Sequence, residues 1–372
     1  MNIKISWKNV WRNKLRSLII IIAIAVGLFG GIFTNAFFMG MTQQRVNSAI
    51  SNETANIQIH HPTFLLDESI NNGMENSSSI LSKIEHLQSI KGISPRLTET
   101  GMASTAESNT GVVINGIIPS LEQEVTQIYH KIIEGEYLNP SSQIPILIGR
   151  KLSQKLNADL GDKVILSMAD GSGEVVYGAF KVRGIYHTQN DMFDGMQVFV
   201  LKTDLQQLLK TADGYDTEIA ISLQDNQLTA KTKTEIQNLL QSEIEQKKIV
   251  VQDWKEIEPS IDLMVQSMDF FAWFFITIIL IALAFGIVNT MIMVVMERTR
   301  ELGMLMAIGM NKRRVFSMIL WETVFLSFVG ALLGIIIAAL SLAYFASAGL
   351  DLSLFGQGMN SLGFNTIIYP AV

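Results

Sequence analysis

Few residues in this 372-residue sequence are arranged for chemistry. His60 and His61 are the only adjacent histidines. Neighbours on a strand point to opposite faces, so the two rings are not set to share a metal ion. The chain has no cysteine, which removes thiolate ligands and disulfides together. Asp191 and Asp194 fall in a polar stretch, 189–195, and read as solvated rather than catalytic. No Gly-x-x-x-x-Gly-Lys-Ser/Thr loop occurs, so these residues do not cradle nucleotide phosphates by that route. Neither Gly-x-Ser-x-Gly nor His-Glu-x-x-His is present. No catalytic residue, metal site or directly bound cofactor is expected. One acid stands apart. Glu322 is the only charge beside an otherwise apolar stretch, and an acid in a membrane segment is a functional suspect. It lies near one end of that stretch. Snorkelling to the interface, pairing with Arg313 or Arg314, and a part in transport are all open to it.

The elements around these residues are set by hydropathy. The chain is 48% hydrophobic and only 17% charged, with a mean hydropathy of +0.30. Residues 17–44, 270–296 and 323–350 carry no charge at all. A membrane span takes about 20 apolar residues, so each is long enough. The first is too long for the apolar core of a signal peptide and has no A-x-A cleavage pattern, so an uncleaved anchor is expected. Charge gives the orientation. Lys4, Lys8, Arg12, Lys14 and Arg16 precede the first stretch without an acid. Arg298, Arg300, Lys312, Arg313 and Arg314 follow the second, against Glu297 and Glu301. The positive-inside rule puts both segments in the cytoplasm, and hence 45–268 and 351–372 outside.

Residues 1–16 have a further pattern. Ile3, Trp7, Val10 and Trp11 share one helical face, with Lys4, Lys8, Arg12 and Arg16 beside it. Trp7, Trp11 and Arg12 suit an amphipathic elbow helix on membrane lipid. The large segment outside reads as mixed α/β. Strands are expected at 56–60, 112–117, 163–168, 180–186, 196–200, 218–223 and 249–252, and helices near 79–91, 122–131, 150–156, 203–210 and 228–247. Gly171-Ser172-Gly173 reads as a hairpin tip, and the loops at 71–79 and 189–195 as mobile. Trp254, Ile257, Ile261, Met264, Met268 and Phe271 are spaced 3, 4, 3, 4, 3. That is an a/d seam, expected to run as a stalk helix over 253–269 straight into the second span and to pack on a neighbour.

The segment ERTRELGMLMAIGMNKRR after the second span carries the most information. Leu302, Leu305, Met306 and Gly309 form an i, i+3, i+4, i+7 face. Gly309 and Asn311 supply a stop before a new helix at Lys312. A short helix with methionines and charged ends suits docking into a partner's groove. The stretch resembles the coupling region of ABC transporter permeases of the FtsX/MacB/Lol-type superfamily, whose pattern is E-R-x-R-E-I-G-x-L-R-A-x-G with an acid in the third span. Glu297, Arg298, Arg300, Glu301, Gly303, Leu305, Ala307, Gly309 and Glu322 carry the likeness. Ile148-Gly149 with Leu152, Gly161-Asp162-Lys163-Val164 and the N-terminal WKNVWRNKLRS are similar to other parts of that pattern.

The resemblance implies an α-helical inner-membrane protein with a large mixed α/β periplasmic domain. Three spans are seen and a fourth is expected beyond Val372. In that scheme 1–16 is the elbow, 17–44 the first span, 45–252 the periplasmic domain, 253–269 the stalk and 270–296 the second span. Residues 297–314 couple to an ATPase, 315–348 form the third span, and 349–372 precede the fourth. The resemblance also implies a separate ABC ATPase that binds the ATP and magnesium, a second permease in a homo- or heterodimer, and no nucleic acid. A Lol-type role follows best, with lipoprotein cargo handed to a periplasmic chaperone. Control of a periplasmic enzyme, as in the cell-division type, and macrolide or peptide efflux are the alternatives.

Overall fold

A computed structural model describes residues 14–371. They form two compact units. One holds 44–263 with 353–366; the other holds the described residues before 44, then 264–352 and the segment from 367 on.

The second of these is built on three long helices, Lys14–Ala49, Pro259–Glu297 and Lys312–Ala348. Each is long and apolar enough to cross a membrane. At 1.5 Å per residue, helices of 36 to 39 residues outrun a hydrocarbon core of about 30 Å. Packing between the first and last of them uses small residues. Glu322, Leu326, Gly330, Gly334, Ala338 and Leu342 recur every four residues, and all are buried. A Cβ added to Gly330 would lie 2.9 Å from the Cβ of Ile24, and one on Gly334 would lie 2.8 Å from the Ala25 carbonyl oxygen. Apolar burial gains little between helices in lipid, so close backbone approach through glycine is the usual source of association.

The α/β unit contains strands β1 (Ile57–His60), β2 (Ile90–Ser104), β3 (Asn109–Ile117), β4 (Ile132–Gly135), β5 (Pro145–Gly149), β6 (Lys163–Ala169), β7 (Val175–Tyr186), β8 (Gln197–Leu201), β9 (Glu218–Leu223) and β10 (Val250–Asp253). Strands β2, β3, β8, β5, β7 and β6 pair in a closed cycle, since β6 bonds both β7 and β2. Alternation fills this barrel: Val164, Leu166 and Met168 point in with Phe180, Val182, Ile114 and Leu97. The first half of β2 instead joins β9, β1 and β10 in a sheet covered by helices Ser77–Ile84 and Thr229–Leu239. Strand β2 therefore belongs to both cores.

Arg96 lies where β2 changes partners. Its guanidinium donates to Glu122 at 2.7 and 3.0 Å and to Glu218 at 2.7 Å, with all three side chains buried. Ser94 and Thr126 donate to the remaining Glu122 sites. A buried charge set of this kind is tolerated because every group has partners.

Several expectations need correction. The seam expected to run unbroken from Trp254 to Phe271 is interrupted. Trp254 and Ile257 sit in a separate one-turn helix, Trp254–Ile257, which opens with an Asp253–Glu256 capping box. Glu258 then leaves helical geometry and Pro259 starts the long helix. Proline disfavours helix in the residue before it and suits the first helical position, so the break falls there. Trp254 and Ile261 are buried, Ile257, Met264 and Met268 half-buried, and Phe271 is exposed, with Ala272 buried in its place. The helix expected at 79–91 stops at Ile84. The polar stretch 189–195 is not a solvated loop: it forms helix Asp191–Asp194, and Asp194 is fully buried. Thr188 donates to Asp194 through its amide and hydroxyl, and His187 Nδ1 lies 2.8 Å from Asp194 Oδ2. Burial still holds the Asp194 pKa above the usual aspartate range. His60 is buried in β1 and His61 turns to Thr63, so the two rings hold separate partners.

Glu99, on β2, is 3% exposed and fastens the segment before the helix Ser77–Ile84. Its carboxylate accepts the Ile70 and Thr100 amides, and the Tyr215 hydroxyl donates to the Ile70 carbonyl. Burial, with Asp67 nearby, pushes its pKa up from 4.5 to about 7. The folded chain thus holds this proton more tightly than the unfolded chain. Its contribution to stability is greatest below the ordinary carboxylate range and is lost as pH rises to about 7. Thermal unfolding of the full chain in detergent from pH 4.5 to 8 tests this. Glu99→Gln is expected to flatten the decline of Tm across that window relative to wild type; identical slopes would refute the assignment.

Candidate functional site

The turn between the second and third long helices gathers most of the residues singled out in the sequence. Glu297 ends one helix. Arg298 departs from helical geometry at φ −99° and ψ 12°, and its carbonyl accepts the Leu302 amide at 2.9 Å. Helix Thr299–Ala307 follows. Its end is a Schellman motif: the Gly309 amide bonds the Met306 carbonyl at 3.0 Å, and the Met310 amide bonds that of Leu305 at 3.0 Å. This closure needs Gly309, whose φ is +98°, a value that L side chains rarely adopt. Asn311 then caps the third long helix by accepting the Arg313 amide at 3.2 Å. Gly303 has no such need, for a Cβ there would meet open space.

Arg298 and Glu322 meet across this turn. Arg298 Nη1 lies 3.4 Å from both carboxylate oxygens, and the two side chains are only 10% and 8% exposed. Of the readings open to Glu322, the structure realises an ion pair, with Arg298 as a partner not among those the sequence suggests. Glu322 sits on the same four-residue stripe as Leu326 and Gly330, which turns it toward the packed interior. Arg298, at the helix break, approaches from that side.

The short helix exposes Met304 and Ile308, one turn apart and outside the face its spacing suggests, and Met306 within that face. Leu302, Gly303 and Leu305 are half-buried, whereas Met304, Met306 and Ile308 are 59%, 42% and 79% exposed. Arg300, Glu301 and Gly309 are also exposed. Sequence reasoning missed Met304 and Ile308, because a short helix with only one covered side does not announce which side that is. The stalk residues are not gathered here, and Met268 instead accepts the Thr42 hydroxyl at 2.8 Å. Trp7, Trp11 and Arg12 lie outside the described residues. Among the described residues no cluster of three His, Asp or Glu could hold a metal.

Residues 17–239 match the MacB-like periplasmic core domain, and residues 273–371 match the FtsX-like permease C-terminal family. The first match alone spans more than half of the chain. The chain is an ABC transporter permease of the MacB/FtsX type. Similar proteins include the macrolide export ATP-binding/permease protein MacB of Brucella abortus, 23% identical over 72% of this chain and 41% of that protein. The lipoprotein-releasing system transmembrane protein LolC of Neisseria meningitidis is 24% identical over 70% of this chain and 63% of its own length. The chain thus spans less than two thirds of either relative. Among solved structures, the periplasmic region of MacB from Actinobacillus actinomycetemcomitans has 13% identity and a TM-score of 0.41, covering 59% of this chain and 98% of its own. In the permease, the two family matches meet the geometry differently. The MacB-like match takes in the first long helix and most of the α/β unit, and the FtsX-like match takes in the turn with Arg298, Gly309 and Glu322.

Removing either partner of a buried ion pair strands the other, at about 3–5 kcal/mol. Arg298→Ala and Glu322→Ala are each expected to lower Tm clearly in detergent, and Arg298→Met with Glu322→Leu to lower it by less than the sum of its single changes. Strict additivity in that double-mutant cycle would show that the pair is not coupled.

Proposed function

We propose that this permease couples ATP hydrolysis on an ABC ATPase, located outside these 372 residues, to motion of its α/β domain, and that the work releases lipoproteins from the inner membrane. The carrying observation is the capped helix Thr299–Ala307, with Met304, Met306 and Ile308 exposed on a turn fixed by Arg298 and Glu322. An apolar face on a short, rigidly ended helix fits a groove on a partner. The sequence has no phosphate-binding loop of its own, which agrees with ATP and magnesium being held by that partner.

The basic residues at the turn, Arg298, Arg300, Lys312, Arg313 and Arg314, favour a cytoplasmic position for it and a periplasmic one for the α/β domain. Force applied to the turn then travels along the second and third long helices. A second permease subunit completes the assembly in this reading. Lipoprotein cargo is supported by the likeness to LolC, which extends over a larger share of that protein than the likeness to MacB does. A periplasmic chaperone accepts the released lipoprotein. Drug efflux is the reading that the MacB relatives favour.

Met304→Glu with Ile308→Glu tests both steps. Burying two charges in an apolar groove costs more than 2 kcal/mol at a docking hot spot, enough for over about tenfold weaker association. The ATPase is expected to be lost on co-purification, and lipoproteins to accumulate in the inner membrane, while Tm is unchanged. Retention of the ATPase by the double variant would end the docking assignment. Normal lipoprotein sorting with altered macrolide sensitivity would replace the cargo.

A further inference from the structure

The α/β unit contains a cavity of about 550 Å³ that the coupling reading does not use. Its wall begins at the end of the first long helix, with Gln44, Asn47 and Ser48, and continues through Gln123, Gln127 and Lys131. Nine of its 19 lining residues are Asn or Gln, and none is Asp or Glu. That is unexpected in a chain with 34 acids against 28 Lys and Arg. Lys91 and Lys131 both line the cavity, and among the described residues neither is in an ion pair. The wall is braced rather than loose. The Asn226 amide donates to Asn47 at 3.1 Å, and the Gln127 main-chain amide to the Ser51 carbonyl at 2.8 Å. Gln44, Asn52 and Asn365 each keep a buried amide oxygen without a partner among the described residues. Buried polar atoms are normally satisfied, so three in one wall ask for an explanation.

The chemistry selects a ligand. A carboxamide both donates and accepts, which matches hydroxyl groups. A lysine ammonium suits phosphate as a compact point charge. We infer that the cavity binds a phosphate-bearing polyol, either the headgroup of an anionic phospholipid or a soluble glycerophosphate. Helix geometry bears on the source. Gln44 closes the uncharged stretch of the first long helix, and Asn47 and Ser48 rise only about 5–6 Å beyond it. Gln44, Asn47 and Ser48 thus continue the same helix directly from its apolar stretch, which favours a lipid source.

Calorimetric titration of the full chain in phosphatidylcholine nanodiscs tests the inference. The probes are short-chain phosphatidylglycerol, short-chain phosphatidylcholine, sn-glycerol 3-phosphate and glycerol. Saturable binding of phosphatidylglycerol alone supports the site with a membrane source. Equal binding of glycerol 3-phosphate supports it with a soluble source. Lys91→Gln with Lys131→Gln should weaken either about tenfold or more at unchanged Tm. Gln123→Leu with Gln127→Leu, which keeps the charge, should let inorganic phosphate compete as well as glycerol 3-phosphate. Binding of glycerol or phosphatidylcholine with equal affinity, no saturable binding, or binding untouched by both double variants would overturn the inference.

Discussion

A guanidinium and a carboxylate withdrawn from water hold the point where this permease turns between its second and third long helices. Two such charges cost several kcal/mol each to desolvate, and only close pairing offsets that cost. The pairing in turn depends on which way Glu322 faces. That is decided further along its helix, where Leu326, Gly330, Gly334 and Ala338 lock one face onto the first long helix. Rotating the third helix by one residue would turn the glycines off that contact and the carboxylate away from Arg298 together. Helix packing, ion pair and turn are thus one constraint, and the short helix Thr299–Ala307 inherits its position from it.

The α/β unit has a comparable dependence on one strand. β2 contributes Leu97 and Ala103 to the barrel and pairs with β9 in the second sheet. Arg96 stands between the two roles, bonded to Glu122 on one side and to Glu218 of β9 on the other. Unlike apolar packing, a guanidinium fork accepts carboxylates in few geometries. It therefore fixes how the helix Pro119–Val125 lies against β2 and β9.

What could be read from the sequence follows from how local each signal is. Charge-free stretches and alternating strands such as β6 declare themselves residue by residue, and their expected positions agree with the structure, whereas β7 starts at Val175, ahead of the expected 180. Strand β5 is buried on both faces, so it has no alternation to detect, and β2 contains Gly92, Pro95 and charged residues that disguise it. The seam from Trp254 was legible as spacing, but spacing ignores Pro259, which stops the first turn. Glu322 was recognisable as an unusual acid. Its partner was not, because Arg298 lies 24 residues away and only the packing of two helices brings them together. The buried Asp194 shows the same limit, since a polar composition does not reveal which carboxylate will be folded inward.

The short helix Thr299–Ala307 itself is held by its ends. A helix of nine residues is marginal in water, because nucleation costs more than so few hydrogen bonds return. Its stability must come from outside its own ladder. Arg298 is anchored by Glu322 at one end, and at the other Gly309 closes the last carbonyls just before Asn311 starts the next helix. Anchoring at both ends leaves little for its outer face to contribute. Yet that face carries Met304 and Ile308, one turn apart, whose exposure in this chain gains no folding free energy. Apolar side chains kept in the open by a rigid frame are stabilised only when another surface covers them. In the proposed coupling the two divide the work: the frame sets the direction in which force is received, and the exposed side chains supply the contact through which it arrives.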